Sequence, residues 1–360
     1  MSSPSSVDVC IVNWFGAADV ERCVRALGPW PHGRTWIVDN SDDAAEARHL
    51  CEIARQNPGI EVIDTGANLG FARACNIGFE RSDAELFLLL NPDAIIVSRD
   101  LTALVEALRG EPRFAALSPR IWWNEQRSFL LPTASPQTPR ASIEQVLAAR
   151  LRGRTMRASG RELARQQDLM HGGGVHEVDF LAGAVLLVRR DAALAAGGLF
   201  DPDYFMFYED SDLSVRLRRA GWRLGVASGV DAVHEYRHKA FKAELMMQTR
   251  ERYFRKRFPL FRRFMPAFDS LARPVPVDVW FDVLPQACAS ADHFRAMTAD
   301  AAVLAFSPSA TTMPAIFRPR GHAPMPFSHE EWELLEPAPY VALVALPDVP
   351  PRWVSFTVTR

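Results

Sequence analysis

The chain has 360 residues, of which 48% are hydrophobic and 23% charged, with a formal net charge of −2. That length gives one large or two medium domains a sizeable core, and the charge balance excludes a global nucleic-acid-binding signature. The five cysteines, at 10, 23, 51, 75 and 288, form no CxxC pair, which excludes a zinc or disulfide framework by spacing and fits reduced cysteines in a cytoplasmic protein.

The N-terminal "MSSPSSVDVC" lacks the basic and apolar regions of a signal peptide. No apolar run approaches the roughly 20 residues that span a bilayer, so any membrane contact is expected to be peripheral. "VDVCIVNW" (7–14) is a short β-branched apolar run and predicts a buried strand. A helical pattern follows at 18–27, then a strand "TWIVDNS" (35–41) ending in Asp39 and Asn40, a helix at 44–56 stopped by Pro58-Gly59, and a strand at 60–66. "GFARACNIGFERS" (70–82) predicts a helix with Phe71, Cys75 and Phe79 on one face. "ELFLLLN" (85–91) predicts a fourth strand, and 99–110 a helix closed by Gly110. Strands that are apolar throughout and alternate with helices indicate an α/β fold with a doubly wound, mostly parallel sheet and helices on both faces. Ligands bind such sheets at the carboxyl ends of the strands, and Asp39, Asn68 and Asp93 all lie at or just after those ends.

Residues 124–176 are rich in Pro, Ser, Thr and Arg and are expected to form a mobile connection or lid. A strand and a helix resume at 176–201, followed by an amphipathic helix at 211–224 and a last strand at 224–239 leading to His234. Glu209 and Asp210 stand where the aromatic "DYFMFY" enters that helix. Asp210 or Ser211 can be a plain N-cap, or Asp210 can be a carboxylate held ionised beside a cleft as a general base. "TRERYFRKRFPLFRRF" (249–264) carries seven Lys and Arg among Phe and Tyr. It reads either as a solvated basic helix with an aromatic core face or as a peripheral membrane patch for anionic headgroups. Beyond 271 the chain is Pro-rich with isolated strand-like runs such as "YVALVAL" (340–346).

Taken in order, "IVNW", "VDNS", "NLGFARACNIGF", "LLLNPDA", "FLAGAVLLVRRDA…GGLFDPDYFMFYEDSDLSVRLRRAGWRL" and "DAVHEYRHK" resemble the family 2 glycosyltransferases of the GT-A fold, with the bacterial rhamnosyltransferase-like members nearest in pattern. The resemblance spans about 7–258. It implies a glycosyltransferase domain at 1–245, with a basic aromatic helical segment at 246–270 and an appended module of unassigned fold at 271–360. It also implies a nucleotide-diphosphate-sugar donor, a saccharide or lipid-linked acceptor, Mg2+ or Mn2+, inversion at the anomeric carbon, and work at the inner face of the membrane. Position by position, Asp39 looks like the residue that reads the nucleotide, Asn13 a support of base or ribose, and Asn68 and Arg73 nucleotide and phosphate contacts. Asp93 matches the last acid of the DxD metal motif, whose first acid is Asn91 here, and His234 matches a histidine that completes the metal site. Asp210 looks like the catalytic base, with Glu209 supporting it or touching the acceptor and Asp212 ranked behind both. A sugar-phosphate nucleotidylyltransferase is disfavoured because "NWFGAADVER" carries one Gly and no basic cluster. A non-catalytic nucleotide- or sugar-binding module remains the other reading.

Overall fold

The computed structural model describes residues 6–29, 33–133, 137–150, 152–235, 242–271, 281–308 and 315–359. The chain divides into two compact units, one of Met1–Arg120, Gly173–His234 and Glu244–Arg257, the other of Ile121–Gly172, Glu235–Ala243 and Phe258–Arg360. The chain begins with β1 (Val7–Asn13), α1 (Ala17–Leu27), β2 (Thr35–Asp39), α2 (Ala44–Gln56), β3 (Ile60–Asp64), α3 (Phe71–Arg81), β4 (Leu86–Leu90), β5 (Ala94–Ile95), α4 (Ser98–Gly110) and β6 (Phe114–Trp122). After α5 (Pro139–Arg150) and α6 (Arg152–His171), which belong to the second unit, come β7 (Val175–Val178), β8 (Val185–Arg189), α7 (Arg190–Ala195), α8 (Glu209–Arg219), β9 (Arg223–His234) and α9 (Lys242–Arg257). Of the "HEYRHK" that was to end the last strand, residues 236–239 lie outside the described residues.

The sheet of the first unit runs β3-β2-β1-β4-β8-β6-β9-β5, with β7 on β9. Its β3-β2-β1-β4 half is parallel. Beyond it, β8 is antiparallel to β4 and β6, and β9 to β5 and β7. β1, β2 and β4 are buried at every residue, as strands covered on both faces must be. The helices supply that cover at helical spacing, α1 through Val20, Val24 and Leu27 and α3 through Cys75 and Phe79. β6 is absent from the sequence reading, because Ser118-Pro119 breaks its apolar run; Pro inside a strand argues against one.

The second unit continues with α10 (Pro259–Arg262), α11 (Met265–Leu271), β10 (Asp282–Val283), α12 (Ala291–Thr298), β11 (Ala302–Ser307), β12 (Ile316–Phe317), α13 (His329–Glu333), β13 (Pro339–Leu346) and β14 (Val349–Thr357). Its strands form a sheet in the order β10-β14-β13-β11-β12. Its core is aromatic, with Phe294, Phe306, Phe327, Trp332 and Phe356 packed around Trp123 and Phe129. Leu130 and Phe317 exchange backbone hydrogen bonds of 2.7 and 3.0 Å, which adds the 121–131 segment to this sheet. Gln166 and Gln167 of α6 tie to Thr133 and to the backbone of Arg318 and Arg320.

These contacts differ from the expected boundaries of 1–245, 246–270 and 271–360. Part of the stretch expected as a mobile connection or lid is two helices, and the stretch falls in the second unit, to whose core Trp123 and Phe129 belong. The basic segment is also divided, since α9 to Arg257 belongs to the first unit and the chain from Phe258 to the second. Composition shows where apolar residues lie but not which distant segment they meet. Replacing Trp123, 1% exposed, by Ala is expected to destabilise the second unit by about 3–5 kcal/mol. Thermal unfolding is the measurement, and an unchanged transition would detach 121–131 from this core.

Candidate active site

The site lies where the parallel strands end. Register pairs Asn13 with Asp39 at the ends of β1 and β2. Asn13 is fully buried, and its Nδ2 donates to Asp39 Oδ1 (3.0 Å) and Glu46 Oε2 (2.9 Å) while its Oδ1 accepts from Gly16 N. The Asn13 amide is therefore used inside the protein, where it orients Asp39 and the 14–16 turn. Asp39 Oδ1 also accepts from Ser41 N and Ser41 Oγ. The turn leaves Trp14 and Phe15 half exposed beyond the strand end, with Phe15 at a left-handed φ of 52°. Sequence reasoning passed over both, although two aromatic residues directly after a strand, in "NWFG", were the available signal.

Asn40 wires the next loop to this end. Its Nδ2 donates to Asn68 Oδ1 (3.0 Å), and its Oδ1 accepts from Leu69 N (2.8 Å). Gly70 then opens α3 with φ 84°; a Cβ there would stand 2.5 Å from the carbonyl oxygen of Phe205. That carbonyl accepts from Phe71 N (2.7 Å), so only glycine permits the approach. Arg73 is exposed on α3 and donates through Nε to Pro202 O (2.9 Å).

The loop that Gly70 admits, residues 200–208, carries the base candidate. Asn76 exchanges hydrogen bonds with the backbone of Phe200, Thr249 of α9 donates to Met206 O (3.1 Å), and Lys256 Nζ lies 2.6 Å from both Asp201 Oδ2 and Asp203 Oδ2. Phe207 and Tyr208 both have left-handed φ, 68° and 66°, a conformation that costs about 1–3 kcal/mol per non-glycine residue. The strained pair forms an elbow that sets Glu209 and Asp210 in the first turn of α8.

Asp210 is half-buried. Its Oδ1 accepts from Ser211 N (2.6 Å) and its Oδ2 from Gly183 N (3.3 Å). Burial pushes its carboxyl up to about 6 against the opposing pull of these N–H donors. The expectation of a carboxylate simply stabilised by the helix end is thus modified, because desolvation outweighs the donors. The neighbouring Ala184 O accepts from Asn91 N (2.8 Å). The backbone of adjacent residues Gly183 and Ala184 therefore connects Asp210 to the Asn91 turn. Glu209 is buried, and its Oε2 has no hydrogen-bond partner among the described residues. Burial first, and then Asp210, push its carboxyl well above the ordinary carboxylate value.

Asp212, ranked behind Asp210 and Glu209, is committed to other partners. It is fully buried, and its carboxylate accepts from Tyr204 Oη (3.1 Å), Arg216 Nε (2.7 Å) and Arg257 Nε and Nη2. Arg216 in turn donates to the carbonyls of Ala196, Gly198 and Leu199.

The 91–93 turn carries the chain from β4 into β5, where Ala94 pairs with His234 of β9. This brings Asp93 Oδ1 to 3.2 Å from His234 Nε2, with the Asp93 side chain 43% exposed and that of His234 12%. Among the described residues no group of three or more His, Cys, Asp or Glu could hold a metal. A carboxylate oxygen and an imidazole nitrogen side by side are a chemically suitable pair of ligands for a hard divalent ion that keeps other oxygen ligands.

Asp210→Asn and Asp212→Ala are expected to move stability in opposite directions. Loss of Asp212 strands two arginines and costs about 3–5 kcal/mol. The raised folded pKa of Asp210 is a cost that builds as pH rises from the ordinary carboxylate range near 4 to about 6 and is constant above. Asp210→Asn should therefore raise the melting temperature at pH 8, with the gain vanishing near pH 4, as a pH series of melts would show.

The family model for "Glycosyltransferase like family 2" matches residues 4–253. The N-acetylglucosaminyl-diphospho-decaprenol L-rhamnosyltransferase of Mycobacterium tuberculosis (strain ATCC 25618 / H37Rv) is 31% identical over 194 residues, which are 50% of this chain and 60% of that protein. The chain thus spans about three-fifths of the length of that relative. Rhamnosyltransferase WbbL of Escherichia coli (strain K12) is 26% identical over 257 residues, 68% of this chain and 90% of that protein. Among solved structures, mannosyltransferase PcManGT from Pyrobaculum calidifontis, in complex with GDP-Man and Mn2+, superposes with a TM-score of 0.49 at 15% identity, covering 75% of this chain and 70% of that one. A match over more than half the chain, on the segments that build the Asn13–Asp39, Asp93–His234 and Asp210 geometry, shows that the protein belongs to glycosyltransferase family 2.

Proposed function

We propose that the protein is an inverting glycosyltransferase that moves a sugar from a nucleotide-diphosphate donor to a hydroxyl of a saccharide or lipid-linked acceptor in surface polysaccharide synthesis. The observation that carries the reading is Asp210, a half-buried carboxylate raised to about 6 at a strained elbow and connected through Gly183 and Ala184 to the Asn91–Asp93 turn. Rhamnose is the transferred sugar in this reading, since both relatives carry it in their names. Work in the cytoplasm, at the inner face of the membrane, accords with five free cysteines, four of them buried.

In this mechanism Asp210 takes the proton of the acceptor hydroxyl as that oxygen bonds to the anomeric carbon. The bond from that carbon to the diphosphate breaks on the opposite face, which inverts the configuration without a covalent enzyme intermediate. A pKa near 6 leaves Asp210 ionised at neutral pH yet basic enough to take the proton. Glu209, buried beside it, supports the base or touches the acceptor in this reading.

Donor binding falls to the strand ends. Asp39 reads the nucleotide, Asn13 holds Asp39 in place, and the exposed Trp14 and Phe15 offer faces for the base. Asn68 and Arg73 stand toward ribose and phosphate. With Nε engaged by Pro202 O, the Arg73 guanidinium keeps its Nη edge for a charge-assisted phosphate contact. Asp93 and His234 would hold Mg2+ or Mn2+, and a bound ion would supply stabilisation of charge on the departing diphosphate. Asn91 contributes no charge, so the protein offers the ion one carboxylate, and ion and donor are expected to bind together.

Asp210→Asn should lower turnover by at least a hundredfold while nucleotide binding persists, and the acid limb of the wild-type rate should lie near pH 6. Unchanged turnover would remove Asp210 from the mechanism. Calorimetry with a nucleoside diphosphate should show tighter binding with Mn2+ than without it, and Asp93→Ala should abolish the difference. Equal affinity in the wild-type protein would defeat the metal assignment.

A further inference from the structure

The seven basic residues of 249–264 divide by what they touch. Lys256 and Arg257 are engaged by Asp201, Asp203 and Asp212, Arg252 donates to Asp203 O, and Tyr253 and Phe254 are fully buried. These contacts tie this half of the segment into the first unit. The other half lies in the second unit. Leu260 on α10 is 75% exposed, and Phe264 in the turn that follows it is 60% exposed. Arg262 and Arg263 between them are exposed as well. Buried Met265 anchors the corner, and α11, which it opens, packs on α5. α5 carries a second exposed apolar pair at the same spacing, Ile143 and Leu147.

We propose that the α10–α11 corner is a docking surface for an anionic lipid bilayer. The chemistry matches such a surface and not a generic apolar partner. Two large apolar side chains stand out from the fold where insertion below the headgroups would cover them, and the intervening arginines sit at the depth of lipid phosphates. No described helix is long and apolar enough to cross a membrane, so attachment would be interfacial and reversible. The surface deepens the lipid-linked acceptor of the proposed function and rests on it for its biological sense, but its binding is measurable without any sugar transfer. It also moves the expected membrane patch from the whole of 249–264 to its second half.

The full chain is sedimented with vesicles of phosphatidylcholine alone and with added phosphatidylglycerol, in low and high salt. Wild type should sediment with the anionic vesicles and much less with the neutral ones. Arg262→Gln with Arg263→Gln should weaken anionic binding roughly 30-fold, at about 1 kcal/mol per arginine. Leu260→Ser with Phe264→Ser should weaken it at least tenfold even in low salt, and Ile143→Ser with Leu147→Ser should weaken it further. The melting-temperature shift given by a nucleoside diphosphate with Mn2+ is the folding control, and it should be unchanged in every variant. Wild type that fails to sediment, or corner variants that sediment like wild type, would overturn the proposal. So would a stable dimer without lipid that the Leu260 and Phe264 changes convert to monomer, since a second copy would then cover the patch. Loss of the nucleotide shift in wild type with vesicle binding intact would instead count against the transferase reading alone.

Discussion

One buried carboxylate, Asp212, ties together the elements around Asp210. Asp212 is removed from water, and its two oxygens are shared among a tyrosine hydroxyl and two guanidinium groups. An ionised group in that position is tolerable only when fully partnered, and its partners come from three places. Tyr204 belongs to the loop ahead of α8, Arg216 to the next turn of α8, and Arg257 to the end of α9. Satisfying Asp212 therefore fixes the helix, the loop and the later helix against one another. Arg216 extends the same constraint to the carbonyls of Ala196, Gly198 and Leu199. Asp210, two residues before Asp212, is held as firmly as this network and can spend its own geometry on reactivity.

Opposed demands on neighbouring acids are thereby separated. Within four residues the helix start buries Glu209 and pushes its carboxyl up, holds Asp210 near 6, and pairs Asp212 with two guanidinium groups. Three carboxyl groups at one helix end would repel if all were ionised alike in water. Here each has its own environment, and the strain at Phe207 and Tyr208 is the cost of placing them so.

Much of this was legible in the sequence where the physics is local. Apolar runs near 7–13, 35–39 and 86–90 gave strands because nothing but a two-sided core suits them, and the helix stops at Gly and Pro were visible for the same reason. Local signals fail where the partner is remote. β6 was hidden by a proline. The meeting of Asp93 with His234 follows from the β5–β9 register and was reachable only through a family pattern. That the Asn13 amide bonds to Asp39 and Glu46 depends on the β1–β2 register and the placement of α2, which no local signal carries. The basic stretch was counted correctly but not apportioned, since composition gives the charge of Lys256 and Arg257 and not the acids that meet them. The same limit hid the second unit, whose aromatic core joins Trp123 and Phe129 to residues beyond 290.

That discontinuous core also bears on the order of events at the ribosome. Trp123 and Phe129 emerge long before Phe294, Phe327 and Phe356, which complete their surroundings. At ordinary synthesis rates the interval is on the order of ten to fifty seconds. The nascent chain then carries a loose aromatic segment while the β3-β2-β1-β4 half, made of neighbouring βα units, can already pair. Trp123 and Phe129 therefore wait for partners made at the far end of the chain, and a message stopped before residue 290 would never supply them.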